Sequence, residues 1–200
     1  MVINNAEFII SCAELSKCPK PVLPEYAFIG RSNVGKSSLI NMLTDIRKLA
    51  KTSSTPGKTQ LMNFFLINGS WHLVDLPGLG YAKVAKSSKS KWEAMIINYL
   101  SKRRCLLSTF YLVDSRLEPQ KIDMNFIEWM GKKQIPFVIL LTKVDKISKF
   151  QLEKNLTLLK RALLNSWDEV PEMIITSSEK KTGKEEILGF IEQTNKIFKV

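Results

Sequence analysis

The chain has 200 residues, 44% hydrophobic and 24% charged, with a net charge of +11 and a pI near 9.6. That length suits one well-cored α/β domain, and no apolar run approaches the ~18 residues of a membrane span. Cys12, Cys18 and Cys105 lack metal-type spacing, which argues against a disulfide framework or zinc and for a reducing cytoplasm. The excess of lysine and arginine favours a polyanionic partner, nucleic acid or ribonucleoprotein, through charge neutralisation and counterion release.

The amino-terminus, MVINNAEFII, has no basic stretch of the signal-peptide kind. Phe8, Ile9 and Ile10 predict a short strand, and residues 13–24, with three prolines, an irregular connection. Residues 1–24 thus read as an extension packed on a single domain that fills 1–200. Tyr26 to Ile29 predict an apolar strand and Ser38 to Leu43 a helical run. Between them, residues 30–37 read GRSNVGKS, which fits the phosphate-loop pattern G-x-x-x-x-G-K-[ST]. Gly30 and Gly35 allow the backbone to approach phosphate oxygens, while Arg31, Ser32, Asn33 and Val34 form the turn between them. Lys36 supplies a point charge for the β- and γ-phosphates, and the Ser37 hydroxyl is a hard oxygen donor for Mg²⁺. The following helix aims its positive end at the same place.

Strands are predicted at 63–67, 71–75, 109–114, 137–142 and 172–176, the run Phe137 to Leu141 being apolar on both faces. His72, between Trp71 and Leu73, reads as a packed strand histidine and not a catalytic one. Four helices alternate with the later strands. Ser90-x-x-Glu93 predicts a capping box opening the first, which runs to about Arg104. Pro119 suits the first turn of the second, with Ile122, Phe126 and Met130 on one stripe. Ser148-x-x-Gln151 caps the third, with Leu152, Leu156, Leu159 and Leu163 inward. Thr182-x-x-Glu185 opens the last, with Ile187 and Ile191 inward. This alternation predicts an α/β, doubly wound, mostly parallel sheet with helices on both faces and ligands at the carboxyl ends of its strands.

Three more segments follow the loop in the order a guanine-nucleotide switch requires. Asp75, Leu76, Pro77 and Gly78 end a strand; the aspartate can hold Mg²⁺ through water, and the glycine N–H can meet a γ-phosphate. Thr142, Lys143, Val144 and Asp145 follow the apolar strand. The Asp145 carboxylate can accept two parallel bonds from guanine N1–H and the 2-amino group, a donor pair adenine lacks. Asn commonly opens this motif; Thr142 offers one hydroxyl to brace the phosphate loop. Thr176, Ser177 and Ser178 follow the last strand, where a backbone N–H could meet guanine O6. In the polar stretch 55–59, Thr59 is the choice to close over Mg²⁺, with Thr55 the alternative. The segment 47–67 is expected to order when Thr59 meets Mg²⁺ and the γ-phosphate.

The combination GRSNVGKS, TPGKTQ, DLPGLGYAKV, TKVD and TSSE resembles the EngB family of bacterial ribosome-biogenesis GTPases over nearly the whole chain. The resemblance implies a P-loop (Ras-like) GTPase domain and a monomeric, cytoplasmic, Mg²⁺-dependent GTPase. It also implies a role in assembly of the large ribosomal subunit, with a link to septation and the cell cycle. Family nucleotide contacts carry over to residues 30–37, to Gly57, Lys58, Thr59, Gln60 and Leu61, and to 75–78, 142–145 and 176–178. Mg²⁺ falls at Ser37 and Thr59. Leu79 departs from the tyrosine common in the family, and it cannot orient water as a glutamine there does, so intrinsic hydrolysis is expected to be slow. Asn33 resembles the asparagine with which some GTPases hold K⁺ beside the phosphates; a turn residue with no ion is the other reading. Apart from Lys36 and Asn33, no residue suggests itself as catalytic.

The basic stretch Lys83, Lys86, Lys89, Lys91, Lys102, Arg103 and Arg104 follows DLPG with Glu93 as its only acid, and is the expected partner surface. Trp92 and Tyr99 within it read as a buried stripe. The rival readings are a P-loop kinase for a small molecule, which has no use for TKVD, and a GTPase subunit of tRNA modification or membrane transport. The latter usually carries a further domain or a span.

Overall fold

The computed structural model describes residues 1–50, 61–79 and 86–199, without the side chains of 86–92. Among the described residues, seven strands form one sheet in the order β1-β3-β4-β2-β5-β6-β7. They are β1 (Ala6–Cys12), β2 (Glu25–Gly30), β3 (Met62–Ile67), β4 (Trp71–Asp75), β5 (Leu106–Asp114), β6 (Phe137–Thr142) and β7 (Met173–Ile175). Pairing from β4 through β2, β5 and β6 to β7 is parallel, whereas β3 runs antiparallel to both β4 and β1. Among the described residues the α-helices are α1 (Lys36–Thr44), α2 (Lys86–Lys102), α3 (Lys121–Lys132), α4 (Lys149–Leu164) and α5 (Lys184–Asn195).

Alternation along the strands builds two cores. Ala27 and Ile29 of β2 and Ile139 and Leu141 of β6 face α2, α3 and α4, where they meet Ile96, Tyr99, Ile127, Met130, Leu159 and Leu163. Tyr26, Phe28, Val138 and Leu140 face α1 and α5, with Leu39, Ile40, Leu43, Ile187, Leu188 and Ile191. A sheet covered on both sides needs apolar residues on both faces of its strands, which Tyr26 to Ile29 of β2 and Phe137 to Leu141 of β6 supply. The chain leaves β2 towards β3 and β4, then crosses to β5 on the other side of β2. The carboxyl end of β2 is therefore a topological switch point, where such sheets bind ligands.

Helix starts differ from the sequence expectation more than strands do. Ser90 lies inside α2, which already begins at Lys86, so Ser90-x-x-Glu93 does not open it. Gln120 precedes α3, which places Pro119 just outside the first turn. The buried face of α3 is Asp123, Ile127 and Met130; Phe126 packs from the rim and Ile122 is exposed. Gly183, not Thr182, caps α5. At α4 the expected cap is present: the Gln151 amide donates to Ser148 Oγ at 3.2 Å.

Candidate functional site

The phosphate loop owes its path to two glycines. A Cβ on Gly30 would lie 2.6 Å from the Leu112 carbonyl oxygen of β5, and Gly35, at the amino end of α1, has φ of 106°. An L side chain is strained in either place. Asn33 is exposed with φ of 60°, a conformation asparagine tolerates. Val34 turns back into the core, buried against the α1 and α5 side of the sheet. Ser37 is half-buried in the first turn of α1.

The DLPG segment packs directly on this loop. The Leu79 amide donates to Gly30 O at 2.8 Å, and the Ser32 amide to Leu79 O at 3.3 Å. Gly78 lies so close that a Cβ would be 3.3 Å from the Ser32 nitrogen. Asp75 is buried at the end of β4, its Oδ1 accepting from Lys36 Nζ, and Leu76 donates to Phe28 O at 3.0 Å. The Leu79 side chain is buried in the core and offers no polar group to the loop.

Arg31 leaves the loop in the opposite direction. Its Nε sits 3.1 Å from Oδ2 of Asp123 on α3, whose Oδ1 accepts from the Tyr111 hydroxyl at 2.9 Å. Burial pushes the Asp123 carboxyl above its usual range, although Tyr111 and Arg31 both pull it down. This anchor was not legible in the sequence, because Asp123 reads there as the polar side of an amphipathic helix.

The loops after β6 and β7 close the other wall. Thr142 Oγ1 is 2.6 Å from Val34 O and 3.2 Å from Val113 O, so its single hydroxyl braces the phosphate loop. Lys143, with φ of 62°, donates to Asn33 O at 2.5 Å and to Asp114 Oδ2 at 2.8 Å. Its stem passes over Gly35. Val144 is half-buried and donates to Thr176 O at 3.4 Å. Asp145 Oδ1 accepts from the Ser177 hydroxyl at 2.6 Å, and Lys146 Nζ lies 3.1 Å from Oδ2. The Ser177 bond and, after it, Lys146 hold the Asp145 carboxyl below its ordinary range against the effect of burial. Thr176 and Ser177 are buried, and Ser178 is half-buried beside them.

Asp114, at the end of β5, is a member of the site that sequence reading missed. Burial opposes its charge, yet hydrogen bonds from Arg116 and Lys143 bring its carboxyl down to about 2. The available signal was its position: like Asp75, it is an acid ending an apolar strand at the ligand edge of the sheet.

Ser37 and Asp75 supply a hydroxyl and a carboxylate, the hard oxygen donors Mg²⁺ takes alongside phosphate and water. The donor types fit the ion, and the Asp75 carboxylate meets a cation here as well, Lys36 Nζ. Among the described residues no cluster of His, Cys, Asp and Glu is suited to an all-protein metal cage. Gly57, Lys58, Thr59 and Gln60 lie outside the described residues, as does Thr55; Leu61 is exposed just before β3. His72 is buried, with Phe64 edge-on to its ring; burial lowers its pKa, and Glu25 at 3.8 Å opposes that.

The basic stretch needs one correction. Arg103 is not part of an exposed surface: its guanidinium is bound to Glu25 at 2.6 and 2.9 Å and to Pro19 O at 2.6 Å. Tyr99 is fully buried, donating to the same carboxylate at 2.8 Å. Lys102 and Arg104 are exposed, whereas Lys83 and the side chains of Lys86, Lys89, Lys91 and Trp92 lie outside the described residues. No helix among the described residues is long and apolar enough to cross a membrane.

Residues 25–143 match the family described as 50S ribosome-binding GTPase. The "Probable GTP-binding protein EngB" of Christiangramia forsetii is 55% identical over 195 residues, 98% of each chain. The crystal structure of a probable GTP-binding protein engB superposes with a TM-score of 0.69 at 21% identity, covering 86% of this chain and 98% of that one. A TM-score of 0.67 at 19% identity relates the chain to Era, crystallised with MgGDPNP and nucleotides 1506–1542 of 16S ribosomal RNA; 86% of this chain and 56% of that one are covered.

Proposed function

The chain belongs to the EngB family of GTP-binding proteins with a P-loop GTPase fold, and from that premise we propose that it is a Mg²⁺-dependent GTPase assisting assembly of the large ribosomal subunit. The observation that carries this reading is the linkage of three loops at one edge of the sheet. Thr142 and Lys143 are hydrogen-bonded to carbonyls of the phosphate loop, and Asp145 is hydrogen-bonded to Ser177. Phosphate and base subsites are thereby held at a fixed separation before a nucleotide arrives, which lowers the ordering cost of binding.

In this reading Gly30 to Ser37 wrap the β- and γ-phosphates, with Lys36 exchanging Asp75 for phosphate oxygens. Asp145 accepts from guanine N1–H and the 2-amino group, the Lys143 stem lies along the base, and backbone N–H groups of 176–178 face O6. Ser37 and Thr59, with Asp75 through water, would hold Mg²⁺, which would supply charge neutralisation at the phosphates. Gly78 offers its amide to the γ-phosphate, and Gly57 to Leu61 complete the nucleotide contacts; Asn33 is placed in the loop where it would hold K⁺, the other reading being a turn residue with no ion. With Leu79 buried and apolar, intrinsic turnover is slow. The protein acts as a cytoplasmic monomer of one domain, residues 1–24 packing on it. Its GTP form binds ribosomal RNA or ribonucleoprotein of the large subunit through its basic surface.

Base recognition is the step most open to direct test. Asp145→Asn removes one acceptor and introduces a donor, which suits xanthine, whose C2 bears a carbonyl. Calorimetric titration should show GTP affinity falling by about 2–4 kcal/mol, with XTP gaining relative to GTP. Undiminished GTP affinity in the variant places the base elsewhere.

A further inference from the structure

Cys12 ends β1, and Cys18 follows the short 3-10 turn Leu15–Lys17. The turn folds the chain back so that the two sulfurs lie 3.3 Å apart. Cys12 is buried, its Sγ 3.9 Å from Met62 O, whereas Cys18 is half-buried on the outer side of the pair. A disulfide needs a sulfur separation of about 2.05 Å, a shift that side-chain torsions in an irregular connection can supply. The chemical setting favours reaction at Cys12. A hydrogen bond from the Cys18 thiol lowers the Cys12 pKa; burial opposes this, Arg103 assists and Glu25 counteracts. The thiolate is the form that attacks electrophilic oxygen and sulfur.

We propose that Cys12 and Cys18 are a modification site, a thiol pair that a hydroperoxide converts reversibly to an intramolecular disulfide. The Cys12 thiolate attacks one peroxide oxygen; the O–O bond breaks, and the other oxygen leaves as hydroxide, or alkoxide, and takes up a proton. The Cys18 sulfur then attacks the resulting sulfenic sulfur. Its S–O bond breaks as the S–S bond forms, and the Cys18 proton departs with the hydroxide as water. Two electrons pass from the two sulfurs to the peroxide, and a small dithiol reverses the change. The ring closes residues 12–18 next to Pro19, whose carbonyl is held by Arg103 just beyond α2. Cys105 stands apart as an internal control: it is buried, and burial followed by Glu25 pushes its thiol up to about 12.

Trypsin cleavage after Lys17 separates the two cysteines into peptides 1–17 and 18–31, which makes the pairing readable. Fully reduced protein is treated with hydrogen peroxide and its intact mass recorded; remaining thiols are then alkylated after denaturation and the digested masses recorded. The expected result is a fall of about 2 Da, peptides 1–17 and 18–31 joined until dithiothreitol is added, and Cys105 alkylated. Cys18→Ser should not show the fall; it should instead label at Cys12 with a sulfenic-acid trap. Oxygen addition at Cys12 in the unchanged protein, linkage between two chains, pairing through Cys105, or no reaction overturns the proposal. So does a fall of the same size in the Cys18→Ser variant.

Discussion

Thr142 stands where an amide side chain is commoner, and its hydroxyl reaches the phosphate loop at Val34 O across 108 positions of sequence. Residues whose chemistry is carried by their own motif were legible: Gly30, Gly35, Lys36, Asp75 and Asp145 all reach one edge of the sheet. Asp114 was not, because its value depends on Lys143, which is 29 positions away in the chain. The carboxylate, held first by Arg116 and then by Lys143, has a pH signature. Folded Asp114 titrates near 2 against about 3.9 when unfolded, so its contribution is complete above about pH 5 and disappears as pH falls towards 2. Asp114→Asn should lower stability by about 2 kcal/mol at pH 6, with the gap closing near pH 2; urea midpoints across that range measure it. Asn33 carries a separate prediction. If it holds K⁺, replacing sodium by potassium at constant ionic strength raises GTP turnover, and Asn33→Ala abolishes the difference; equal rates in both salts leave it a turn residue.

Elements were more legible than their ends. Strands came through because β2 and β6 alternate between two covered faces, whereas helix starts depend on loop geometry that periodicity does not carry. The sequence marked Ser90 and Thr182 as caps, and α2 and α5 begin elsewhere. Arg103 looked like part of a basic run for the same reason: its partner Glu25 opens β2, far away in sequence and invisible to any local pattern. Glu25 is fully buried with Tyr99, His72 and Arg103 around it, so the guanidinium is its compensating charge. Removing one member of a buried pair leaves the other unpaired at a cost of about 3–5 kcal/mol. Arg103→Ala should lower the thermal midpoint accordingly while GTP affinity, measured below the transition, stays unchanged. A midpoint within a degree or two of the unchanged protein contradicts this account of the β2–α2 junction.

At the scale of the whole molecule, a net charge of +11 is combined with the proposed nucleotide site at the carboxyl ends of β2, β4 and β6. The basic stretch around α2 follows DLPG and Leu79, the latter hydrogen-bonded to the phosphate loop. Nucleotide state and polyanion affinity can therefore be coupled, provided the GTP form binds the partner better than the GDP form does. The measurement that tests this most directly is co-sedimentation of the protein with large-subunit particles, loaded with a non-hydrolysable GTP analogue or with GDP, across a salt series. The account predicts tighter binding with the analogue. It also predicts a salt slope reduced by about one for each phosphate no longer neutralised when Lys86, Lys89 and Lys91 are changed to glutamate. GTP affinity should be unaltered in that variant. Equal binding in the two nucleotide states would contradict the proposed role.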